Sequence, residues 1–430
     1  MTDRLRRLNV TEGQAYTMVI GLVLAIVLGA AGIPAVLRDR PASATATNRL
    51  NPRAEQTASE TPATPAVGAA VPAIPGVIAR PAPTAVVPVG GASEAPALPP
   101  AISGVPSAVP TPLTITTFAR VNHPGAPGGL AVARGGTVYV TTNNGTARGD
   151  PGASHVFAFD SAGTQTADRA IDGQPADHVN GLMGAAVDPV SGAVAVLEPD
   201  QARVLSVDMT SGAQRLLADI PDLPACLISL GASPCQQGAE DRAPFPVAAA
   251  YNVQGDLFVT DPSQDTVWRL RPGAQTPEVW HQSTYFTIGD GPYGLALDEN
   301  AVEFTVGASF DPAAPTSGGL YRVAINADGT AGALTLVAAF PRGTEPGPLA
   351  VGNTGTAYVV LRATGTIVAL TPAGAESWRI DPPGGGPLPL DTPSAVALLP
   401  GRLLVANQGT GTNAAHWAVL AITVNDGIRT

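Results

Sequence analysis

Glu198 and Asp261 each close a short apolar run and each precede a proline, in AVAVLEP and DLFVTDP. The two carboxylates therefore hold equivalent places in successive copies of one pattern. Asn143 and Asn144 in TVYVTTNN and Asn407 in RLLVAN end further copies, while Asn180 in NGLMGAAVD and the Asp290–Tyr293 turn open others. Carboxylate and amide oxygens in this number suit Ca²⁺, which takes about six to eight oxygen ligands. A metal site would draw on Asn180, Glu198 and Asp261, with Asn143, Tyr293 and Asn407 completing a ligand-binding rim. The same residue types have a second use at strand ends, where Asp and Asn hydrogen-bond nearby backbone and start turns. Both readings stand at this point.

Other chemistry is scarce. The histidines (His123, His155, His178, His281, His416) are scattered, without the spacing of a metal pair and without an evident partner for general-base work. No Gly-x-Ser-x-Gly elbow, phosphate loop or haem-attachment cysteine pair occurs, so no catalytic residue is assigned. Cys226 and Cys235, in the long insertion DLPACLISLGASPCQQGAEDR, lack the companions of a metal site and are expected to form a local disulfide. A long loop with its own staple is also a candidate binding surface. Beyond Ca²⁺ no cofactor is expected.

The elements that position these residues repeat. From Leu113 onward the hydrophobic period is two, with turn residues between short runs, as in an all-β domain. Six small-residue strands, at Gly128, Asn180, Phe245, Tyr293, Gly347 and Pro393, are each followed by a second run (TVYVTT, AVAVLE, DLFVTD, VEFTVG, TAYVVL, RLLVAN). A third follows in each (HVFAFD, RVLSVD, TVWRLR, GLYRVA, TIVALT, WAVLAIT). The period predicts a six-bladed β-propeller over 113–430, in which the start of each first strand and the end of each second lie at one end of the channel. QRLLADI, PEVWHQ and ALTLVAAFP read as outer strands, but the last unit ends too soon to hold one. LTITTFARVNHP, at the start of the domain, matches ALTLVAAFPRG, so Leu113 to Ala119 is expected to close the ring as the outer strand of blade six.

NGLMGAAVDPVSGAVAVLEPDQARVLSVD, VTDPSQDTVWRLRPG and DGPYGLALDENAVEFTVGASF resemble the NHL-repeat and gluconolactonase-like six-bladed propellers, most of all the bacterial exported propellers of ScyD/ScyE type. The resemblance covers about residues 113–430. It implies the propeller fold and a family that spans lactonases, sugar-acid and peptide binders and scaffolds. The gluconolactonase-like enzymes hold a metal with one Glu, two Asn and one Asp around the channel. Asn180 matches that pattern, but the acidic residue at the opening strand is missing, since blade one begins with PGG and blade three with FPV.

The residues before the ring differ in kind. Thr17 to Leu37 is a run of 21 residues without charge, long enough at about 1.5 Å per residue to cross a bilayer. Arg4, Arg6 and Arg7 precede it, Arg38 and Arg40 follow, and a 16-residue tail is expected on the cytoplasmic side. A cleaved signal peptide is the alternative, given the small residues in GAAGIPA. Either way the remainder is expected outside the cytoplasm, as a single-pass membrane protein or, after cleavage, a secreted one. Residues 38–112 are rich in Pro and Ala with almost no aromatic side chains, a composition that cannot bury a core and reads as a disordered spacer. Over all 430 residues there are 48 Gly and 43 Pro, and 13% are charged. Every basic residue is Arg, and the net charge is -11. An acidic chain without a basic stripe excludes nucleic acid as a partner. The expected function is a binding or scaffold module for a protein or glycan, with a metal-dependent lactonase in the channel as the alternative and a small-ligand sensor as a third reading.

Overall fold

A computed structural model describes residues 113–428, apart from 122–124, 145–150, 179, 227–233, 237–240, 284–285, 287–289, 299, 309–317 and 410–413. The tail, the apolar segment 17–37 and the spacer 38–112 lie outside the described residues, so the expected membrane span falls there too.

Strand β1 (Ile115–Arg120) is followed by six inner strands in turn: β2 (Ala126–Val132), β6 (Ala185–Val187), β10 (Ala248–Tyr251), β14 (Pro292–Asp298), β18 (Pro346–Val351) and β22 (Pro393–Leu399). Each inner strand opens a four-stranded antiparallel sheet. Blade one continues outward through β3 (Val138–Asn143), β4 (His155–Phe159) and β5 (Gln165–Ala170), and blade two through β7 (Val194–Glu198), β8 (Arg203–Val207) and β9 (Gln214–Asp219). Blade three adds β11 (Leu257–Asp261), β12 (Thr266–Leu270) and β13 (Glu278–Gln282). Blade four adds β15 (Ala301–Val306), β16 (Gly318–Ile325) and β17 (Ala331–Phe340), and blade five adds β19 (Ala357–Leu361), β20 (Thr366–Leu370) and β21 (Glu376–Ile380). In blade six β22 pairs with β23 (Arg402–Asn407) and β23 with β24 (Ala418–Thr423), and β24 takes β1 as its outer partner. The six-bladed ring and its closure by the first strand are as the repeats predict.

Position in the blade explains the composition of each strand. Second and third strands are covered on both faces by neighbouring blades, so TVYVTT-like runs are buried throughout rather than on alternate residues. Inner strands converge on the axis and leave little room for side chains: a Cβ on Gly129 would lie 2.2 Å from the Met183 carbonyl oxygen, and one on Gly294 2.2 Å from that of Gly347. The outer strand β5 faces solvent and is mostly polar. Six apolar clusters fill the six blade-to-blade interfaces. Hydroxyls bond each of three blades to the inner strand of the next, as Thr260 Oγ1 donates to the Tyr293 carbonyl at 2.6 Å, Thr305 Oγ1 to that of Gly347 at 2.6 Å and Ser394 Oγ to that of Pro127 at 2.7 Å.

The inner strands of blades two and three start later than NGL and FPV suggest. The residues after Asn180 bond to blade one instead: Gly181 bridges Asn143, and the Leu182 amide donates to the Thr142 carbonyl at 3.0 Å.

The ring has two faces. Pairing of Ala126 with Asn143 and of Pro393 with Asn407 puts the starts of inner strands beside the ends of second strands, on the face that carries the blade-to-blade connections. The opposite face carries the tight hairpins. Because Ile115 pairs with Ile422 and Arg120 with Ala418, the chain enters the ring on the hairpin face.

A second closure lies on that face and was not legible in the sequence. Beyond β24 the chain crosses to blade five, where Ile428 bridges Gly352 and Asp426 accepts from the Thr354 amide (3.2 Å), the Thr354 hydroxyl (2.8 Å) and the buried Tyr358 hydroxyl (3.0 Å). Hydrogen bonds to a charged group are each worth about 1.5–3 kcal/mol, and a stranded buried hydroxyl adds to the loss. Asp426→Ala should lower the unfolding free energy of the full chain by about 2–3 kcal/mol in urea titration. An unchanged midpoint would mean that this crossing contributes nothing to closure.

Candidate functional site

The second-strand ends lie on the connection face, as predicted, and most of their polar side chains hold the loops above them. Asn180 donates to the carbonyls of Gly152 and Pro175, both at 2.8 Å, and to that of His178 at 3.3 Å. Asn407 accepts from the Asp391 amide at 2.7 Å and donates to the carbonyls of Pro389 and His416 at 3.1 and 2.9 Å. Asn144 donates to the Gly152 carbonyl at 3.2 Å, and Asn143 lies against the Met183 sulfur at 3.2 Å. Long connections carry backbone groups that need partners once water is excluded, and these side chains supply them.

Glu198 and Asp261 are similarly engaged. Glu198 is buried and ion-paired with Arg203, and it accepts from Gln174 at 2.8 Å and Gln201 at 3.1 Å. Asp261 accepts from the amides of Phe245, Ser263 and Gln264 at 3.1, 3.1 and 3.2 Å and from the Gln264 side chain at 2.9 Å. Burial raises its pKa, and these bonds oppose the rise. Among the described residues no three His, Cys, Asp or Glu side chains gather to share a cation. The channel between the inner strands is a space of about 70 Å³ lined by residues such as Gly129, Ala185, Ala249, Gly294, Leu349 and Ala395.

The oxygens of Asp261 anchor the insertion between blades two and three. Gln264, three residues on, receives the Leu223 amide at 2.6 Å and donates to the Pro221 carbonyl at 3.0 Å. Across the insertion, Gln236 donates to the Leu223 carbonyl at 2.8 Å and to that of Arg242 at 3.3 Å. The expected disulfide is present, with the Cα atoms of Cys226 and Cys235 5.0 Å apart. This framework carries Arg242 and Phe245 onto the connection face.

There they meet blades four and five. A cavity of about 170 Å³ is lined by Arg242, Phe245, Pro262, Ser263, Asp290, Gly291, Tyr293, Gly307 and Arg362. The Arg362 guanidinium stacks on the Tyr293 ring at 4.2 Å from its centroid and reaches Glu345 at 3.5 Å. Phe245 is 40% exposed, one of four large apolar side chains among the described residues that are exposed to this degree or more. Burial and the Glu345 charge raise the Asp290 pKa, against the pull of Arg362 and Arg242.

Behind the cavity wall lies Asp265. It is 1% exposed, its φ of 54° is one that side chains rarely adopt, and neither carboxyl oxygen has a partner. A Cβ on Gly291 would sit 2.5 Å from its Oδ1. Burial, with the Asp261 charge adding to it, pushes the Asp265 pKa up to about 8. Strained backbone and perturbed acids concentrate at functional sites, and here both sit against one pocket. A larger depression of about 400 Å³ lies on the hairpin face, lined by turn residues including Arg134, Asp188, Asn252 and Gln254. It has no comparable gathering of cation, exposed aromatic ring and unpaired acid.

Sequence spacing placed Tyr293 and the Asp290 turn on this rim, and both line the pocket. Arg242, Arg362 and Asp265 were missed. Arg242 belongs to the cysteine-stapled insertion, which had been singled out as a binding surface. For Arg362 the available signal was its place, directly after the second strand of blade five and so on the predicted rim.

No family model and no curated protein matches the chain. Solved structures do resemble it. The virginiamycin B lyase of Staphylococcus aureus is 13% identical, with a TM-score of 0.47 over 73% of this chain and 99% of that one. A putative gluconolactonase is 14% identical, with a TM-score of 0.48 over 75% and 96% of the two chains. A gluconolactonase from Xanthomonas campestris is 17% identical, with a TM-score of 0.46 over 75% and 98%. Likeness at this level concerns the fold and carries no activity across.

Proposed function

We propose that the chain is a binding module: a ring held outside the cytoplasm by its apolar N-terminal segment and spacer, offering its connection face to a protein or glycan partner. The observation that carries this reading is the rim pocket, where Arg242, Arg362 and the exposed ring of Phe245 converge on a preformed cavity. Strand β1 begins on the opposite, hairpin face of the ring. A metal-dependent lactonase ranks second. The carboxylates that such a metal would need, Glu198 and Asp261, already hold Arg203 and the insertion.

Photo-cross-linking in cells separates these faces. With a photoreactive phenylalanine analogue in place of Phe245, irradiation should yield discrete adducts of the full chain. The same analogue at Val253, exposed on the hairpin face, should yield far fewer. Equal yields from both positions, or none from Phe245, would remove the connection face as the recognition surface. Lactone hydrolysis by the purified chain, lost on chelation, would put the hydrolase reading first.

A further inference from the structure

We infer that the rim pocket is a receptor for a small carboxylate that bears a hydrogen-bond donor on the adjacent carbon, with the carboxylate held by Arg242 and Arg362 and the donor by Asp290. The inference rests on the connection face being the recognition face, and deepens that reading by naming the group recognised.

Size comes first. A cavity of about 170 Å³ is well below the roughly 300 Å³ at which sites for drug-sized ligands begin, so it admits one small unit of a ligand. Charge comes second. The two arginines come from different parts of the ring, Arg242 on the insertion before blade three and Arg362 from blade five, and Asp290 of blade four lines the same cavity. Guanidinium stays protonated at all working pH values and presents a planar fork that matches a carboxylate. Arg362 is already oriented by its stacking on Tyr293 and its contact with Glu345, so little side-chain freedom remains to be lost on binding.

Asp290 decides what kind of anion fits. It lines the same cavity and feels both arginines, and its carboxylate would repel a dianion such as phosphate. It accepts hydrogen bonds, so it favours a ligand with one carboxylate that brings its own donor, either the hydroxyl of a monoanionic hydroxy acid or the ammonium of a zwitterionic amino acid. Asp265 contributes from behind Gly291: holding its proton at neutral pH, it adds no negative charge to the wall. A buried acid with two unpartnered oxygens and a strained backbone costs the fold stability, and that cost falls directly behind this cavity.

Calorimetry on the full chain with lactate, glycine, acetate and phosphate tests the assignment. Lactate or glycine should bind, acetate at least about fivefold more weakly, and phosphate more weakly still; the stronger of the first two tells a hydroxy acid from an amino acid. Arg362→Gln and Arg242→Gln should each weaken the preferred ligand by about tenfold or more. Asp290→Asn should narrow the gap to acetate, and Arg215→Gln, on the hairpin side of blade two, should change nothing. Thermal midpoints guard against misfolding, and Arg362→Lys provides a milder variant should Arg362→Gln lose its fold. Acetate or phosphate binding as well as lactate and glycine, binding indifferent to both arginine variants, or no binding by any of the four would overturn the inference. Adducts at Phe245 without any such binding would sink this assignment alone and leave the binding-module reading intact.

Discussion

Deleting residues 113–120 from the full chain is expected to abolish the cooperative unfolding transition of the ring, although those residues form only one outer strand. Strand β1 pairs with β24 from Ile115 opposite Ile422 to Arg120 opposite Ala418, with one irregularity at Phe118. Its side chains serve two interfaces: Ile115 belongs to the core between blades five and six, and Phe118 and Ala119 to the core between blades six and one. Burying an isoleucine or phenylalanine side chain is worth about 1.5–3 kcal/mol. Each ladder hydrogen bond adds about 1 kcal/mol. The sum is on the order of 10 kcal/mol, comparable with the whole stability of a typical domain at about 5–15 kcal/mol. The deletion would also bare the edge of β24, a template for aggregation. Circular dichroism during heating and urea titration reads the outcome. A sharp transition at the parental midpoint would show that the ring closes by some other means, with the crossing at Asp426 the first place to look.

Replacing Asp265 by asparagine should make the ring more stable at pH 8 and reduce the dependence of stability on pH between about 4 and 8. In the folded ring burial and Asp261 push the Asp265 pKa up to about 8. In the unfolded chain it lies near the ordinary value of about 3.9. Between these limits the folded state keeps a proton that the unfolded state has released. Stability therefore falls as pH rises, by up to about 1.4 kcal/mol per pH unit, and levels off above the folded value. Asparagine cannot ionise, and it tolerates the left-handed backbone that φ of 54° imposes. The variant should gain about 3 kcal/mol or more at pH 8 and little at pH 4. Asp261 is shifted in the same direction, so part of the slope will persist. Urea midpoints across the pH range measure both quantities. A variant with the parental slope would place the pH dependence elsewhere in the molecule.

The two predictions differ in how far sequence alone reaches them. Ring closure was legible because LTITTFARVNHP repeats the pattern of ALTLVAAFPRG and because the last unit lacks an outer strand, both facts of order along the chain. Asp265 was not legible. Its neighbour Asp261 ends an obvious strand, whereas Asp265 lies in the turn after it, where an aspartate is ordinarily solvated. In the folded ring Gly291 from blade four packs against its carboxyl group, which is buried. The outer strand of blade one stands out less in the sequence for a related reason: solvent covers it, and TQTADRA shows polar residues where the inner strands show apolar ones.

The strand-end residues show the same division. Sequence order fixed that Asn143, Asn180, Glu198, Asp261 and Asn407 share one face, because every blade repeats the same hairpin geometry. It could not say whether their oxygens point at a shared ligand or at the loops above. That depends on partners distant in the chain, such as the Gly152 carbonyl over Asn180 and the Phe245 amide over Asp261. By itself, then, the sequence determined the number of blades, the strand that closes them, the pairing of Cys226 with Cys235 and the face on which polar residues collect, since period and adjacency are written along the chain. Tertiary structure alone decided that Arg242, Asp290 and Arg362, from three different blades or connections, meet over one cavity and that Asp265 loses its water behind it. Burial and convergence are properties of neighbours in space, and a repeat pattern does not encode which long-range neighbours a turn residue will meet.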